Sequence, residues 1–352
     1  LQQKVIVLFG GRSAEHEVSV RSAASVLNAL DLTRFAPVPV GISKCGRWQE
    51  GLDPRAILAA HETSVHEPHT DEYIGPIARI LAQADVIFPV LHGPFGEDGS
   101  MQGLFEVVDK PYVGSGITAS ALGMDKVFQK MLFRYHGLPV VDFVWCRRAD
   151  YATQPEAFHR QVEEALGYPC FVKPANMGSS VGINKVHHRD GLMRAIEVAF
   201  RYDAKVLVEQ AVKCREIECS VLGNEELYSS LPGEIVPNAE FYDYNAKYLQ
   251  PSTVHVRASL LPEQVQQIRE LAMRAHETLG CAGLSRVDFF LSPSGVVYVN
   301  ELNTMPGFTS ISMYPKMWEA SGLPYTDLIT RLIELAFAKY LDGRRISVDY
   351  RE

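Results

Sequence analysis

Along the first third of the chain, apolar residues fall in short β-rich runs separated by helix-length amphipathic stretches. Lys4–Phe9 is such a run; the Gly10-Gly11 turn and a helical pattern through Val20–Leu30 follow it. Ala36–Ile42 alternates, and Asp85–Leu91 reads as a buried parallel strand. This rhythm predicts a doubly wound α/β sheet. From about Gly123 the texture changes. A helix at Met124–His136, a strand at Val140–Trp145 and a helix at Pro155–Leu166 lead to short strands at Cys170–Lys173 and Val181–Val186. A helix near Gly191–Tyr202 and a strand at Val206–Gln210 complete a small α+β unit. The remainder carries strands at Arg215–Leu222, Leu284–Leu291 and Val296–Leu302, with helices at Pro262–Leu279 and Tyr325–Leu341. Boundaries fall near 121 and 212, with no repeat and no low-complexity linker.

A net charge of -8 on 352 residues argues against a nucleic-acid partner, so anionic ligands must be held by local cations, backbone N–H groups or metal ions. The six cysteines form no CxxC pair and no zinc spacing, which predicts free thiols in a reducing compartment. No basic leader precedes Val5–Phe9 and no apolar stretch is long enough to span a bilayer, so a cytoplasmic protein is expected. His61, His66 and His69 sit in a polar, proline-bearing loop without an acidic or cysteine partner at a metal spacing.

Candidate chemistry clusters in four places. Met177-Gly-Ser-Ser-Val-Gly-Ile183 lies between two predicted strands, four residues after Lys173. Glycines there let the backbone approach a polyphosphate, and N–H groups, two hydroxyls and the lysine can hold it. An ordinary Gly-Ser hairpin with a solvated lysine explains the same residues. Asp288 on one strand, and Glu301 and Asn303 ending the next, converge across a Ser-Pro-Ser-Gly hairpin as hard oxygen ligands suited to Mg²⁺. Arg286 shares that face and can stabilise a transferring phosphoryl group or simply pair with the acids. The N–H groups of Met305-Pro-Gly-Phe308 can face an oxyanion. Glu15, after the first strand, and His92-Gly-Pro-Phe-Gly-Glu-Asp-Gly99, after the third predicted strand, reach the carboxyl rim of the sheet, where open α/β sheets bind ligands. Gly114-Ser-Gly-Ile-Thr-Ala119 matches a dinucleotide fingerprint, but it lacks a proper preceding strand and the matching acidic residue. No P-loop, G-x-S-x-G elbow or kinase H-R-D occurs.

In order, GGRSAEHEVS (10–19), LHGPFGEDGSMQG (91–103), GMDK (123–126), FVKPANMGSSVGI (171–183), EFYDYNAKY (240–248), GLSRVDFF (283–290) and NELNTMPGFTSISMYP (300–315) resemble the D-alanine–D-alanine ligases of the ATP-grasp superfamily. The likeness runs from about residue 4 to 340. It implies a three-domain ATP-grasp architecture: an N-terminal α/β domain (1–121) with the first D-alanine site, a central lid (122–212), and a C-terminal domain (213–352) with the metal site and a lid loop at 240–251. It implies that Glu209 and the backbone of Gln210, Ala211 and Val212 hold adenine and that Glu216 holds ribose. Lys126, Lys173, Ser179, Ser180 and Lys247 would serve the phosphates, and Asp288, Glu301 and Asn303 two Mg²⁺ ions, with Mn²⁺ an alternative. Glu15 would grip the ammonium of the first D-alanine, with His92 near its carboxylate. Arg286 and the Gly307 N–H would stabilise acyl-phosphate and adduct, while Ser312 and Met313 would serve the second D-alanine. Tyr248, Ser179 and Glu15 would orient the lid loop. The implied reaction is ATP-dependent D-alanyl-D-alanine synthesis for peptidoglycan precursors, by a homodimer. A D-alanine–D-lactate ligase shares nearly every motif, but Tyr248 argues against it. An NAD oxidoreductase using 114–119 and a non-catalytic ATP-binding regulator are the readings from other classes.

Overall fold

The computed structural model describes residues 2–66, 74–236 and 253–345. Its first sheet contains β1 (Gln3–Gly10), β2 (Phe35–Ile42), β3 (Trp48–Glu50) and β4 (Val86–Pro89), in the order β3-β2-β1-β4. β1 runs parallel to β2 and β4, and Val5–Phe9 is fully buried, as an unbroken apolar run in a two-sided parallel sheet must be. The short antiparallel β3 on the edge was not anticipated. Helices α1 (His16–Ala29) and α2 (Pro54–Ala59) follow β1 and β3; α3 (Ile74–Ala82) and α4 (Ser100–Val107) flank β4. Ile6 and Leu8 pack towards Ile80, Leu81 and Phe105 on one face of the sheet. Val5, Val7 and Phe9 on the other face join a core that includes α1 and residues 328–336 near the C-terminal end.

The predicted helix at Met124–His136 is α6 (Lys126–Tyr135), and a separate helix that was not anticipated, α5 (Ile117–Met124), precedes it across Asp125. Asp125 is extended, and its carboxylate accepts from the N–H groups of Val127 and Phe128, so it caps α6 instead of continuing α5. The second sheet is antiparallel, with order β5-β8-β6-β7, built from β5 (Phe143–Arg147), β6 (Cys170–Pro174), β7 (Asn184–Val186) and β8 (Lys205–Gln210). Helices α7 (Arg148–Thr153), α8 (Pro155–Ala165) and α9 (Arg189–Ala199) belong to this stretch, and residues 144–208 contribute a core of their own. β7 starts three residues later than expected, because Ser179 and Ser180 take positive φ (51° and 58°) and turn the chain before it.

The third sheet joins β9 (Arg215–Gly223), β10 (Leu227–Ser229), β11 (Gly233–Val236), β12 (Thr253–His255), β13 (Gly283–Leu291) and β14 (Val297–Asn303). α10 (Pro262–Thr278), with Pro at its first turn, packs on it; α11 (Met313–Ala320) and α12 (Tyr325–Gly343) follow. α12 crosses back to the first sheet and supplies the distant half of its core. α6 is shared: Phe133 packs into the third sheet's core, while Val127 meets Ala175 and Leu207 of the second sheet. The fingerprint at 114–119 has a structural use. Side chains of Met305 and Leu284 lie 3.1 and 3.5 Å from where a Cβ on Gly114 would stand, and Gly283 approaches its backbone. These glycines therefore serve close packing between the segment and β13. All six cysteines are free thiols, and among the described residues no helix is long and apolar enough to cross a membrane.

Candidate active site

The metal-type residues owe their common face to an irregularity in β14. Phe289 pairs with Val299, but Asp288 pairs with Glu301, so Asn300 is skipped and the strand bulges. In a regular ladder Asn300 would oppose Asp288 and Glu301 would turn to the other side. The bulge instead puts Glu301 and Asn303 opposite Asp288 and Arg286. β9 adds Glu218 opposite Asp288 and Glu216 opposite Phe290, so both project onto this face. Glu218 was not singled out in the sequence, because nothing local marks which residue of β9 will oppose Asp288.

Cations neutralise these acids one by one. Arg286 donates from Nε and Nη2 to the two oxygens of Asp288 at 2.7 and 2.8 Å, and its Nε lies 3.3 Å from Glu218. Burial works against its charge, but Asp288 and Glu218 raise its pKa well above the usual value. Asn303 donates from Nδ2 to Asp288 at 3.1 Å. Lys126, the first residue of α6, reaches Glu301 at 3.0 Å and donates to the Met177 carbonyl at 3.0 Å. Burial lowers the pKa of Lys126, yet Glu301 more than restores it. Among the described residues, no trio of His, Cys, Asp and Glu is spaced as a metal cage. Asp288, Glu301 and the Asn303 amide still form a hard oxygen set, which fits a small cation sharing its ligands with phosphates and water.

Glu209, on β8, lies across the cleft. It is 1% exposed and receives both Lys173 and Lys130, the latter at 2.7 Å. Burial alone would raise the carboxyl's pKa, but the two ammonium groups hold it at about 2. The N–H groups of Gln210 and Ala211 donate to the carbonyls of Asp142 and Pro169 at 3.0 and 3.1 Å, so of that backbone they are already committed.

The Gly-rich loop closes over the N-terminal rim. Ser179 donates from Oγ to Glu15, and a Cβ on Gly178 would stand 2.7 Å from Glu15 Oε2, so the carboxylate sits directly against the glycine backbone. Glu15 and Ser179, 164 positions apart, are thus direct partners. His92 is buried. Its Nδ1 lies 3.1 Å from the Met305 carbonyl and its Nε2 3.2 Å from Ser22 Oγ, which makes Nδ1 the donor in the neutral ring. His92 therefore grips the loop after β14 from beneath.

That loop differs from expectation. Of the N–H groups at 305–308, Phe308 donates to Ser22 Oγ at 3.2 Å and Met305 to Glu97, so only part of the turn can face an oxyanion. Gly307 packs against Ser312, whose Oγ accepts from the Thr309 N–H at 3.0 Å. Met313 is buried, with its methyl against Gly233. Lys247, Tyr248 and the expected lid loop 240–251 lie outside the described residues, as does His69.

Glu97, within the quoted 91–103 segment but given no role, accepts from the Gly93 N–H at 2.7 Å. Burial, with the nearby Glu15 charge, pushes its pKa up to about 8. Its ordinary value is about 4.3, so it stabilises the fold while protonated. That contribution is complete below the unfolded pKa and fades as pH rises through 8. Thermal melts should therefore show Glu97→Gln, which cannot ionise, gaining roughly 5 °C on the wild type between about pH 5 and pH 9. Parallel curves would mean that the Glu97 carboxyl does not titrate there.

An arrangement that sets Lys173 and a Gly-Ser loop on one antiparallel sheet, with the lysines of α6 beside them, against acids and an arginine on another defines an ATP-grasp enzyme. Family models agree: that of the D-ala D-ala ligase N-terminus matches residues 4–115 and that of the C-terminus residues 132–334. The chain belongs to the D-alanine–D-alanine ligase family. A D-alanine–D-alanine ligase of Heliobacterium modesticaldum is 48% identical, covering 98% of this chain and 97% of its own length. One of Enterococcus faecalis is 47% identical over 96% of this chain and 99% of its own. Among solved structures, the Coxiella burnetii D-alanine–D-alanine ligase matches with a TM-score of 0.83 at 36% identity, covering 98% and 96% of the two chains. The VanG D-Ala:D-Ser ligase of Enterococcus faecalis also matches with a TM-score of 0.83 at 36% identity, covering 96% and 100%.

Proposed function

We propose that this enzyme phosphorylates the carboxylate of one D-alanine with ATP and joins the resulting acyl-phosphate to the amino group of a second, releasing ADP and phosphate in the cytoplasm. The observation that carries this reading is the paired face of Asp288, Glu301, Asn303 and Arg286 opposite the lysine-bound Glu209.

In this reading Glu209, the Gln210–Val212 backbone and Glu216 take the adenosine, and Lys126, Lys173, Ser179, Ser180 and Lys247 the phosphates. Asp288, Glu301 and Asn303 would hold Mg²⁺, which would neutralise phosphate charge and polarise the transferring group. Glu15 takes the ammonium of the first D-alanine, and His92 supports that site through the loop it grips. A carboxylate is a poor acyl donor, so its oxygen first attacks the γ-phosphorus, and the bond from that phosphorus to the bridging oxygen breaks to release ADP. The deprotonated second amine then attacks the acyl carbon. Arg286 and the Gly307 N–H stabilise the oxyanion, and phosphate leaves. Ser312, at the head of α11, orients the second carboxylate. The domain limits near 121 and 212 and a homodimeric assembly belong to the same reading.

The family includes a solved D-Ala:D-Ser ligase, so the acceptor is the part that needs testing. The curated relatives at 48% and 47% identity carry the D-alanine–D-alanine name, and Tyr248 favours an amine over a hydroxyl acceptor. ADP release coupled to product analysis, with D-alanine alone and with D-serine or D-lactate added, should give D-alanyl-D-alanine as the main product. A predominance of D-alanyl-D-serine or of the ester would overturn the acceptor assignment; no ADP release with D-alanine would overturn the reaction.

A further inference from the structure

None of these roles uses one buried cation in the cleft. Lys130 lies one turn after Lys126 on α6 and is 1% exposed. Its Nζ stands 2.7 Å from Glu209 and donates to the Asn300 carbonyl at 2.8 Å. Asn300 is the residue skipped by the β14 bulge. Next to it on α6, Gln129 exchanges bonds with the Leu302 backbone at 3.0 and 2.8 Å. α6 therefore grips β14 at two adjacent points, and Lys130 links that strand to Glu209 on β8.

Glu209 needs one cation for neutrality and has two. The second must overcome the cost of desolvating another ammonium, which calls for a reason. The two lysines are not equivalent. The Lys130 ammonium is held by both Glu209 and the Asn300 carbonyl, whereas Lys173 lies on β6 just before the Gly-rich loop, within the phosphate-binding stretch.

We propose that Lys130 is a positioning residue, the permanent counter-ion that keeps the Glu209 carboxylate in place when Lys173 turns to the nucleotide phosphates, and that the pair sets a preference for 6-amino over 6-oxo purine nucleotides. This rests on reading Glu209 as the acceptor for the adenine amine. A carboxylate accepts from that amine, but meets the 6-oxo group of hypoxanthine acceptor to acceptor. Without Lys130, a buried Glu209 would keep Lys173 as its one direct ion-pair partner among the described residues, and the phosphates would lose that charge.

The test is steady-state kinetics of Lys130→Met with ATP, ITP and D-alanine, beside Glu209→Gln. Removing a residue that supports a ligand-contacting group typically costs about 10- to 100-fold, so KM for ATP should rise by that factor. The ATP-over-ITP ratio of kcat/KM should fall about tenfold while KM for D-alanine stays within about twofold, and Lys130→Arg should recover much of the loss. If Lys130→Met does not fold, Lys130→Gln, which keeps a donor for Asn300, carries the same readouts. Unchanged ATP parameters and purine ratio, or an equal loss in every constant, would overturn the proposal in favour of a purely structural lysine. If Glu209→Gln also leaves the purine ratio unchanged, the adenine reading of Glu209 falls with it. If Glu209→Gln changes the ratio and the Lys130 variants do not, only the role of Lys130 is overturned.

Discussion

Replacing Glu301 by Gln is expected to lower D-alanine-dependent ADP release by about 10²- to 10³-fold while leaving the fold intact. The amide keeps the shape of the side chain and removes its charge. Glu301 sits opposite Asp288 on the only stretch of β14 that the bulge turns towards the cleft, and its charge is met by Lys126 at 3.0 Å. As a metal ligand it would lose most of its affinity for a hard cation, since a neutral oxygen cannot replace an anionic one at equal strength. The requirement for Mg²⁺ should therefore shift to higher concentration as well. Its side chain is 26% exposed but pairs with the largely buried Lys126, so a moderate loss of stability should accompany the loss of turnover. Turnover near wild type at saturating Mg²⁺ would remove Glu301 from the metal site, and a large fall in melting temperature would make it structural.

Much of this site was legible because its residues sit in contiguous motifs. Asp288 and Arg286 were placed on one face from their i, i+2 spacing, and the register confirms Arg286 opposite Asn303. The bulge was not legible: side-chain alternation alone gives Asn300 the place that Glu301 occupies. Glu218 and Lys130 were missed for a different reason. Each stands in an otherwise ordinary strand or helix and gains meaning only from partners 70 and 79 positions away, Asp288 and Glu209. The helix after Asp125 was read within two residues of its bounds, whereas α5 was missed because Gly116, which precedes it, carries no side chain to cap a helix. The packing of α12 on the first sheet was equally hidden, since apolar periodicity reports that a helix is buried without naming the surface that buries it.

Arg286 should separate catalysis from stability when two substitutions are compared. Its guanidinium spans Asp288 through two bonds and lies beside Glu218, so its planar fork does what one ammonium cannot. Arg286→Lys keeps a positive charge between the acids and should fold with a modest loss of melting temperature. A single ammonium cannot hold Asp288 and also point a donor at the transferring group. We expect kcat to fall about 10²- to 10³-fold, with little change in KM for ATP, because the lost interaction is made in the transition state. Arg286→Met removes the charge altogether. Glu218 and Asp288 would then face each other across β9 and β13 without the guanidinium that now lies beside both. Breaking a buried pair by removing one partner costs about 3–5 kcal/mol, so this variant should lose stability as well as activity. Denaturant titration and steady-state kinetics on the two proteins decide the matter. Equal stability losses with retained turnover in Arg286→Lys would reduce Arg286 to a counter-ion. Loss of turnover in a stable Arg286→Lys protein would place it at the reacting phosphoryl group.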